Sequence, residues 1–287
     1  MAEAKESQLE IELPKDTEPL PDIAALEYQM AHTTVLGDHD PELRKALESQ
    51  DLTESTDHAP SGGLRFTNAK ILEFQRKVMW EFVKDIGFNL ASGSVANVVS
   101  ISLPVKIFEP RSLLQRLADA WYTAPALLTP AGQSDDPIFR FKSVLAFAVS
   151  GLRNMVKQWK PFNPILGETY QAKFHDGSQI CLEQTFHHPP ISHWQVFGVE
   201  DCYHFFGYGR WDAGLRGNGM KGSTIGPNIV AFKDGSKISF SLPYLWLSGV
   251  LWGDRVAEYL GELKIRDKKN GLECTLVFNP DAVGFIQ

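Results

Sequence analysis

From Gly167 onward the sequence consists of short runs in which apolar and polar residues alternate, and this pattern limits the possible folds more than any other feature of the chain. The runs are Thr169–Phe174, Ile180–Phe186, Ser192–Val199, Tyr203–Tyr208, Ile229–Phe232, Lys237–Leu242, Ala257–Arg266 and Leu272–Phe278. A period of two sends successive side chains to opposite faces, so each run reads as a strand with one buried face. Asp176-Gly177, Asp234-Gly235 and Asn270-Gly271 fall between runs and supply the positive φ that tight hairpins need. A long antiparallel meander buries its apolar face by curling into a barrel or a sandwich. Helical periodicity precedes the strands, which makes the chain α+β and mostly β.

The helical part begins at Asn68. Between Asn68 and Gly87, Ile71, Leu72, Phe74, Val78, Met79, Phe82, Val83 and Ile86 recur at helical spacing. Two roles fit such a helix: packing on a core, or resting on a membrane and closing a lipid pocket. Trp80 lies outside the apolar stripe, which leans toward the second role. Val98–Phe108 alternates like a strand, and EPRS leads into a predicted helix from Ser112, a good N-cap residue, to Ala124. After the linker AGQSDDP, a second helix runs from Pro137 to Trp159 with apolar residues around most of its circumference. Residues 1–67, rich in Asp, Glu, Pro, Ser and Thr, read as a mostly disordered acidic leader with one short helix at Pro41–Gln50. Residues 68–287 then form the folded domain.

Charge and cysteine usage narrow the class of protein. The 287 residues carry a formal net charge of −7, so no basic field recruits nucleic acid. The N-terminus is acidic and has no signal-peptide core, and no run approaches the about 18 apolar residues of a bilayer span. Cys181, Cys202 and Cys274 show no CxxC spacing and fit a reducing compartment. The expected location is the cytosol, with the protein soluble or peripheral to a membrane.

Chemistry concentrates between Trp159 and Ser192. Lys160 precedes Pro161, and His187-His188 precede Pro189-Pro190, so proline-restricted backbone presents a cation and an imidazole pair. Lysine and two histidines offer an anion grip suited to a phosphate monoester, because imidazolium and ammonium are all donors. A structural histidine pair at a strand end is the plain alternative. A metal site is another: His175, His187, His188 and His193 with Glu183 supply ligand types for zinc in a metal-dependent β-barrel enzyme. Adjacent strand residues point to opposite faces, however, and HxH and HExxH spacings are absent. Gly217-Asn218-Gly219-Met220-Lys221-Gly222 matches GxGxxG, but no helix signal follows, so it reads as a loop. No GxSxG elbow is present, and the chain reads as a non-enzyme without a cofactor.

Lys160–Glu168 (KPFNPILGE) together with Glu183–Pro190 (EQTFHHPP) resembles the signature of the oxysterol-binding-protein family. Leu103–Gln115 (LPVKIFEPRSLLQ) and the helix containing FAVSG resemble the segments that precede it, and residues 70–280 follow the family order. The resemblance implies an incomplete antiparallel β-barrel around a hydrophobic tunnel, closed by a lid. It implies binding and transfer of one lipid at a time, sterol or phosphatidylinositol 4-phosphate, between membranes. Carried over by position, Lys160, His187 and His188 hold the phosphate, and Phe82, Val83, Lys84 and Asp85 meet the lipid backbone beneath the lid. Transient contact with membrane surfaces is implied; a pleckstrin-homology module and a clear acidic receptor-docking tract are both missing. Two departures stand out. Phe186 occupies the family's serine position, and the family domain continues beyond the equivalent of Gln287, where further Lys, Glu and Arg complete the phosphate site. A truncated member that keeps the motif and transfers nothing is therefore the alternative.

Overall fold

The computed structural model describes residues 57–86, 96–97 and 103–279, without the side chains of residues 83, 85, 86, 96 and 97. The predicted leader through residue 56, including the Pro41–Gln50 helix, lies outside them. A first strand, β1 (Leu64–Phe66), is followed by α1 (Ala69–Ile86) and the two-residue strand β2 (Ala96–Asn97). Next come β3 (Phe108–Ser112) and three helices, α2 (Leu113–Ala120), α3 (Ala124–Gln133) and α4 (Pro137–Met155). The short β4 (Lys160–Phe162) pairs in parallel with β3. The meander then runs β5 (Thr169–Lys173), β6 (Gln179–Phe186), β7 (Ile191–Phe197), β8 (Tyr203–Arg216), β9 (Gly219–Ile225) and β10 (Asn228–Phe232). It ends with β11 (Lys237–Phe240), β12 (Tyr244–Ser248), β13 (Arg255–Asp267) and β14 (Leu272–Phe278).

Twelve of these strands form one antiparallel sheet, and two long ones organise it. The first half of β8 pairs with β10, through Tyr203–Gly207, and the second half pairs with β9. In the same way β13 receives β12 through Val256–Leu260 and β11 through Ile265–Asp267. Two short strand pairs, β9–β12 and β10–β11, thus bridge β8 to β13 side by side. The sheet continues through β7 and β6 to β5 on one side and to β1 and β14 on the other. Among the described residues the barrel is open, as the incomplete-barrel reading expects.

Each half of the sheet has its own core. The α2–α4 half buries Leu114, Leu117, Trp121, Val144 and Phe147 against Ile180, Trp194, Phe205, Val230 and Ile265. The other half lies under α1, with Met79 and Phe82 on Leu215 and Val250, and Leu72 on Phe66, Val156 and Ala257. Five apolar α1 side chains among the described residues, Ile71, Leu72, Val78, Met79 and Phe82, are buried. Burying each contributes about 1.5–3 kcal/mol against the entropy of ordering the helix. Asn68 caps its start, its Oδ1 accepting from Ile71 N at 3.2 Å.

The hairpin chemistry appears where the turn pairs predict it. Asp176 and Asp234 each accept from the backbone N–H and hydroxyl of the serine two residues on, Ser178 and Ser236, at 2.6–3.0 Å. Gly177 and Gly235 take φ of 97° and 80° at these turns. Arg140 ties the second turn to α4 through Asp234 at 2.9 Å. That ion pair and the Ser236 bonds hold the Asp234 carboxyl well below the usual carboxylate range.

Several segments depart from the sequence expectation. Leu64–Phe66, within the stretch read as leader, pairs with β13. Val105–Ile107, read as strand, is a 3-10 turn, and the strand starts at Phe108. The helix from Ser112 stops at Ala120, and α3 follows it. Pro125 and Pro130 hide α3 from the sequence. Pro125 sits in the first turn, where a backbone N–H has no helical partner, while burial of Leu128 and Ala131 outweighs the interior proline. The Gly217–Gly222 string is a hairpin and not a loop. Gly217 turns with φ of 56° and β9 begins at Gly219, where a Cβ would lie 2.2 Å from the Trp246 ring. A strand follows this string, so a helix N-terminus for a pyrophosphate is not available there.

Candidate functional site

The two sequence motifs are joined by main-chain hydrogen bonds. Gly167 N donates to Gln184 O at 2.8 Å, and Gln184 N donates to Glu168 O at 2.9 Å. The segment that starts at Lys160 is therefore fastened to β6 two residues before Phe186. Glu168 also folds back on its own turn, its Oε2 accepting from Ile165 N at 3.1 Å.

Lys160 sits on β4 opposite Phe108 of β3. β3 is itself anchored to α2 by the buried pair Arg116–Glu109, with Nε to Oε1 at 3.0 Å. The Lys160 ammonium lies 4.5 Å from the centre of the Phe108 ring, which stacks on Phe162 at 4.8 Å. Its Nζ donates to Asn163 Oδ1 at 2.6 Å and to Pro161 O at 3.2 Å. Among the described residues no carboxylate forms an ion pair with it. Burial pushes its pKa down from 10.5 to about 8. The partly buried cation is thus held by two neutral oxygen acceptors and a ring.

His187 and His188 lie in the turn after β6, with a cis peptide at His188–Pro189. The two rings are 4.6 Å apart at 59°. The strand argument that would separate them fails, because the chain leaves β6 at Phe186 and the two residues occupy a turn. Both histidines and Phe186 are exposed, the phenylalanine at 53%. Among the described residues no hydrogen bond joins Lys160 to either imidazole. No group of three or more His, Cys, Asp or Glu side chains among them is arranged to hold a metal ion. His193 instead meets Thr185 Oγ1 at 2.8 Å through Nδ1.

Sequence reasoning missed the polar support beneath this turn. Ser192 Oγ donates to Gln184 Oε1 at 2.5 Å, and Trp211 Nε1 donates to Ser192 Oγ at 3.0 Å. Gln184 Nε2 then donates to Phe186 O at 2.9 Å, fixing the residue that enters the turn. The signal lay in the alternation: Ile180, Leu182 and Gln184 occupy the same buried face of β6, and the third is polar. Gln184→Ala is expected to cost about 1–3 kcal/mol, since it strands the Ser192 hydroxyl in the interior. A denaturation midpoint lowered at unchanged slope would show it; an unchanged midpoint would mean the network carries no stability.

The Phe82–Asp85 stretch divides. Phe82 is buried with Met79, Leu215 and Val250, while Lys84 is exposed on the opposite side of α1. A cavity of about 540 Å³ opens at the other end of this helix, lined by Arg65, Leu72, Arg76, Trp80 and Leu251 among others. It lies apart from Lys160 and the histidine turn. Among the described residues no helix is long and apolar enough to cross a membrane.

An open antiparallel barrel, packed by helices at one half and by an amphipathic helix at the other, is a scaffold found in known proteins. Residues 88–287 match the family model for oxysterol-binding protein, and the chain belongs to that family. Oxysterol-binding protein 9 of Dictyostelium discoideum is 40% identical over 243 residues, covering 85% of this chain and 56% of that protein. Oxysterol-binding protein-related protein 8 of Homo sapiens is 28% identical over 83% of this chain and 27% of that protein. The chain thus spans about half of the first relative and about a quarter of the second. The Osh1 ORD domain in complex with ergosterol superposes with a TM-score of 0.60 at 25% identity, covering 82% of this chain and 55% of that one. The Osh3 ORD of Saccharomyces cerevisiae in complex with PI(4)P gives 0.57 at 27% identity, covering 69% and 51%.

Proposed function

We propose that this chain binds a single lipid, a sterol or phosphatidylinositol 4-phosphate, and carries it between membranes without chemical change. Lys160, His187 and His188 hold the headgroup phosphate, and α1 closes over the acyl chains as a lid, with Phe82–Asp85 at its lipid-facing end. The folded unit that does this includes β1, which pairs with β13, and so begins before residue 68. The observation that carries the reading is the Lys160 cage: a desolvated ammonium held by two oxygen acceptors and a ring, on a segment bonded to the strand that ends in the histidine pair. The solved structures similar to this chain, bound to ergosterol and to PI(4)P, support both ligand classes.

Extraction of phosphatidylinositol 4-phosphate and of sterol from liposomes by the purified protein tests the reading. Saturable uptake of about one lipid per chain, each ligand displacing the other, is the expected result. Folded protein that extracts neither would be a scaffold that keeps the motif without the transfer.

The lowered lysine pKa adds a pH signature. Phosphate binding requires the ammonium, so affinity holds below pH about 8, where free Lys160 is charged. Above it, binding must also take up a proton, and affinity falls by up to about tenfold per pH unit. Lys160→Arg keeps its charge throughout and removes this fall. A wild-type profile flat from pH 7 to 10 would place Lys160 away from the phosphate.

A further inference from the structure

Trp80 and Trp252 are both exposed, at 42% and 56%, yet their rings stack at 6.2 Å and 27°. One belongs to α1 and the other to the segment between β12 and β13, so the stack joins two elements at the surface. On α1, the positions three and four residues before Trp80 and four after it are Lys77, Arg76 and Lys84. These positions share one helical face, and all three are cationic. Glu73, Glu81 and the exposed Asp254, which pairs with Arg65, are the acidic groups near this face, and Arg76 also donates to Gly253 O. Next to Trp252, Leu251 is half-buried and lines the rim of the 540 Å³ cavity together with Trp80 and Arg76. Stacking fastens α1 to its neighbour but leaves about half of each indole in water, beside cationic side chains. A bilayer interface accepts both, taking indole rings at the headgroup level while cations meet anionic lipid.

We infer that the Trp80–Trp252 pair, flanked by Arg76, Lys77 and Lys84, is the surface by which the protein docks on an anionic membrane. This deepens the lipid-carrier reading by naming the face that meets the donor or acceptor bilayer. Docking there sets the cavity beside α1 against the lipid surface. The cations supply attraction and selectivity, and the indoles supply depth. Salt weakens the first and leaves the second largely intact.

The test uses the full chain and vesicles of phosphatidylcholine with or without phosphatidylserine, carrying brominated acyl chains. Wild-type tryptophan fluorescence is expected to be quenched by the brominated anionic vesicles. Trp80→Phe with Trp252→Phe keeps the stack but removes the quenching, which assigns the signal to this pair. Trp80→Ala with Trp252→Ala weakens vesicle binding about tenfold or more. Lys77→Glu weakens the preference for phosphatidylserine. Water-soluble dioctanoyl phosphatidylinositol 4-phosphate, measured in parallel, binds all these variants like wild type, so loss of docking is told apart from loss of the ligand site. Vesicle binding without quenching, or quenching that survives the Phe variants, overturns the proposal. Thermal destabilisation of the Ala variant with unchanged vesicle affinity overturns it as well, leaving the stack as a clasp between α1 and its neighbour.

Discussion

On the proposed headgroup site, Lys160→Ala is expected to reduce phosphatidylinositol 4-phosphate binding about 10- to 150-fold, the loss of one charge-assisted hydrogen bond of about 1.5–3 kcal/mol. Changing His187 and His188 to alanine together costs at least as much, because two donors leave the phosphate. Sterol uptake stays near wild type in both, since a sterol presents no anion to these groups. The cage around Lys160 makes the lysine variant informative. Asn163 and the Pro161 carbonyl hold the ammonium, and among the described residues no carboxylate partner is stranded when it is removed. Secondary damage is therefore small. Parallel loss of sterol and phosphoinositide uptake would show that the residues hold the fold and do not grip the headgroup.

The largest effect on stability is expected at Trp121. Its side chain is 1% exposed, and Phe147, Trp194, Phe205 and Phe240 surround it at ring distances of 4.9–6.5 Å. Helix α4 and strands β7, β8 and β11 meet on this one indole at the end of α2. Trp121→Ala leaves a void that close-packed neighbours cannot fill and costs about 3–5 kcal/mol. Against a typical stability of about 5–15 kcal/mol, that is a large share. Trp121→Phe costs less: it keeps most of the ring, and the indole Nε1 it removes is buried without a hydrogen-bond partner. Gly151 marks the same crowding from α4, since a Cβ there would sit 3.1 Å from the Trp121 ring. Chemical denaturation measures both variants. A loss below about 1 kcal/mol for the alanine variant would show that the two layers are not held by this residue.

Strand by strand, the readable part of the fold was the part set by local chemistry. Asp176-Gly177 and Asp234-Gly235 close hairpins because aspartate bonds its own turn and glycine accepts positive φ. Leu272–Phe278 appears with unchanged bounds, and α1 lies within the predicted Asn68–Gly87 span. Elements whose stability comes from elsewhere were not readable. α3 contains two prolines and forms because its apolar side packs on α4. Tyr244–Ser248 becomes β12 because β9 and β13 offer it edges on both sides. The doubling of β8 and β13 as spines of two adjacent sub-sheets has no local signature, since strand pairing depends on residues far apart in sequence.

The site divides along the same line. By itself the sequence determined the residue types and their backbone: Lys160 before a proline, two histidines before two prolines, and a family resemblance strong enough to suggest a phosphate between them. Proline acts on its immediate neighbours, so that much is local. Only the tertiary structure decided the environment. It set Lys160 over Phe108, brought β6 to Gly167 and Glu168, and placed Gln184, Ser192 and Trp211 beneath the turn. The low lysine pKa follows from burial in the folded chain. Desolvation depends on everything that surrounds a group in space, and the order of residues along the chain does not contain it until the chain has folded.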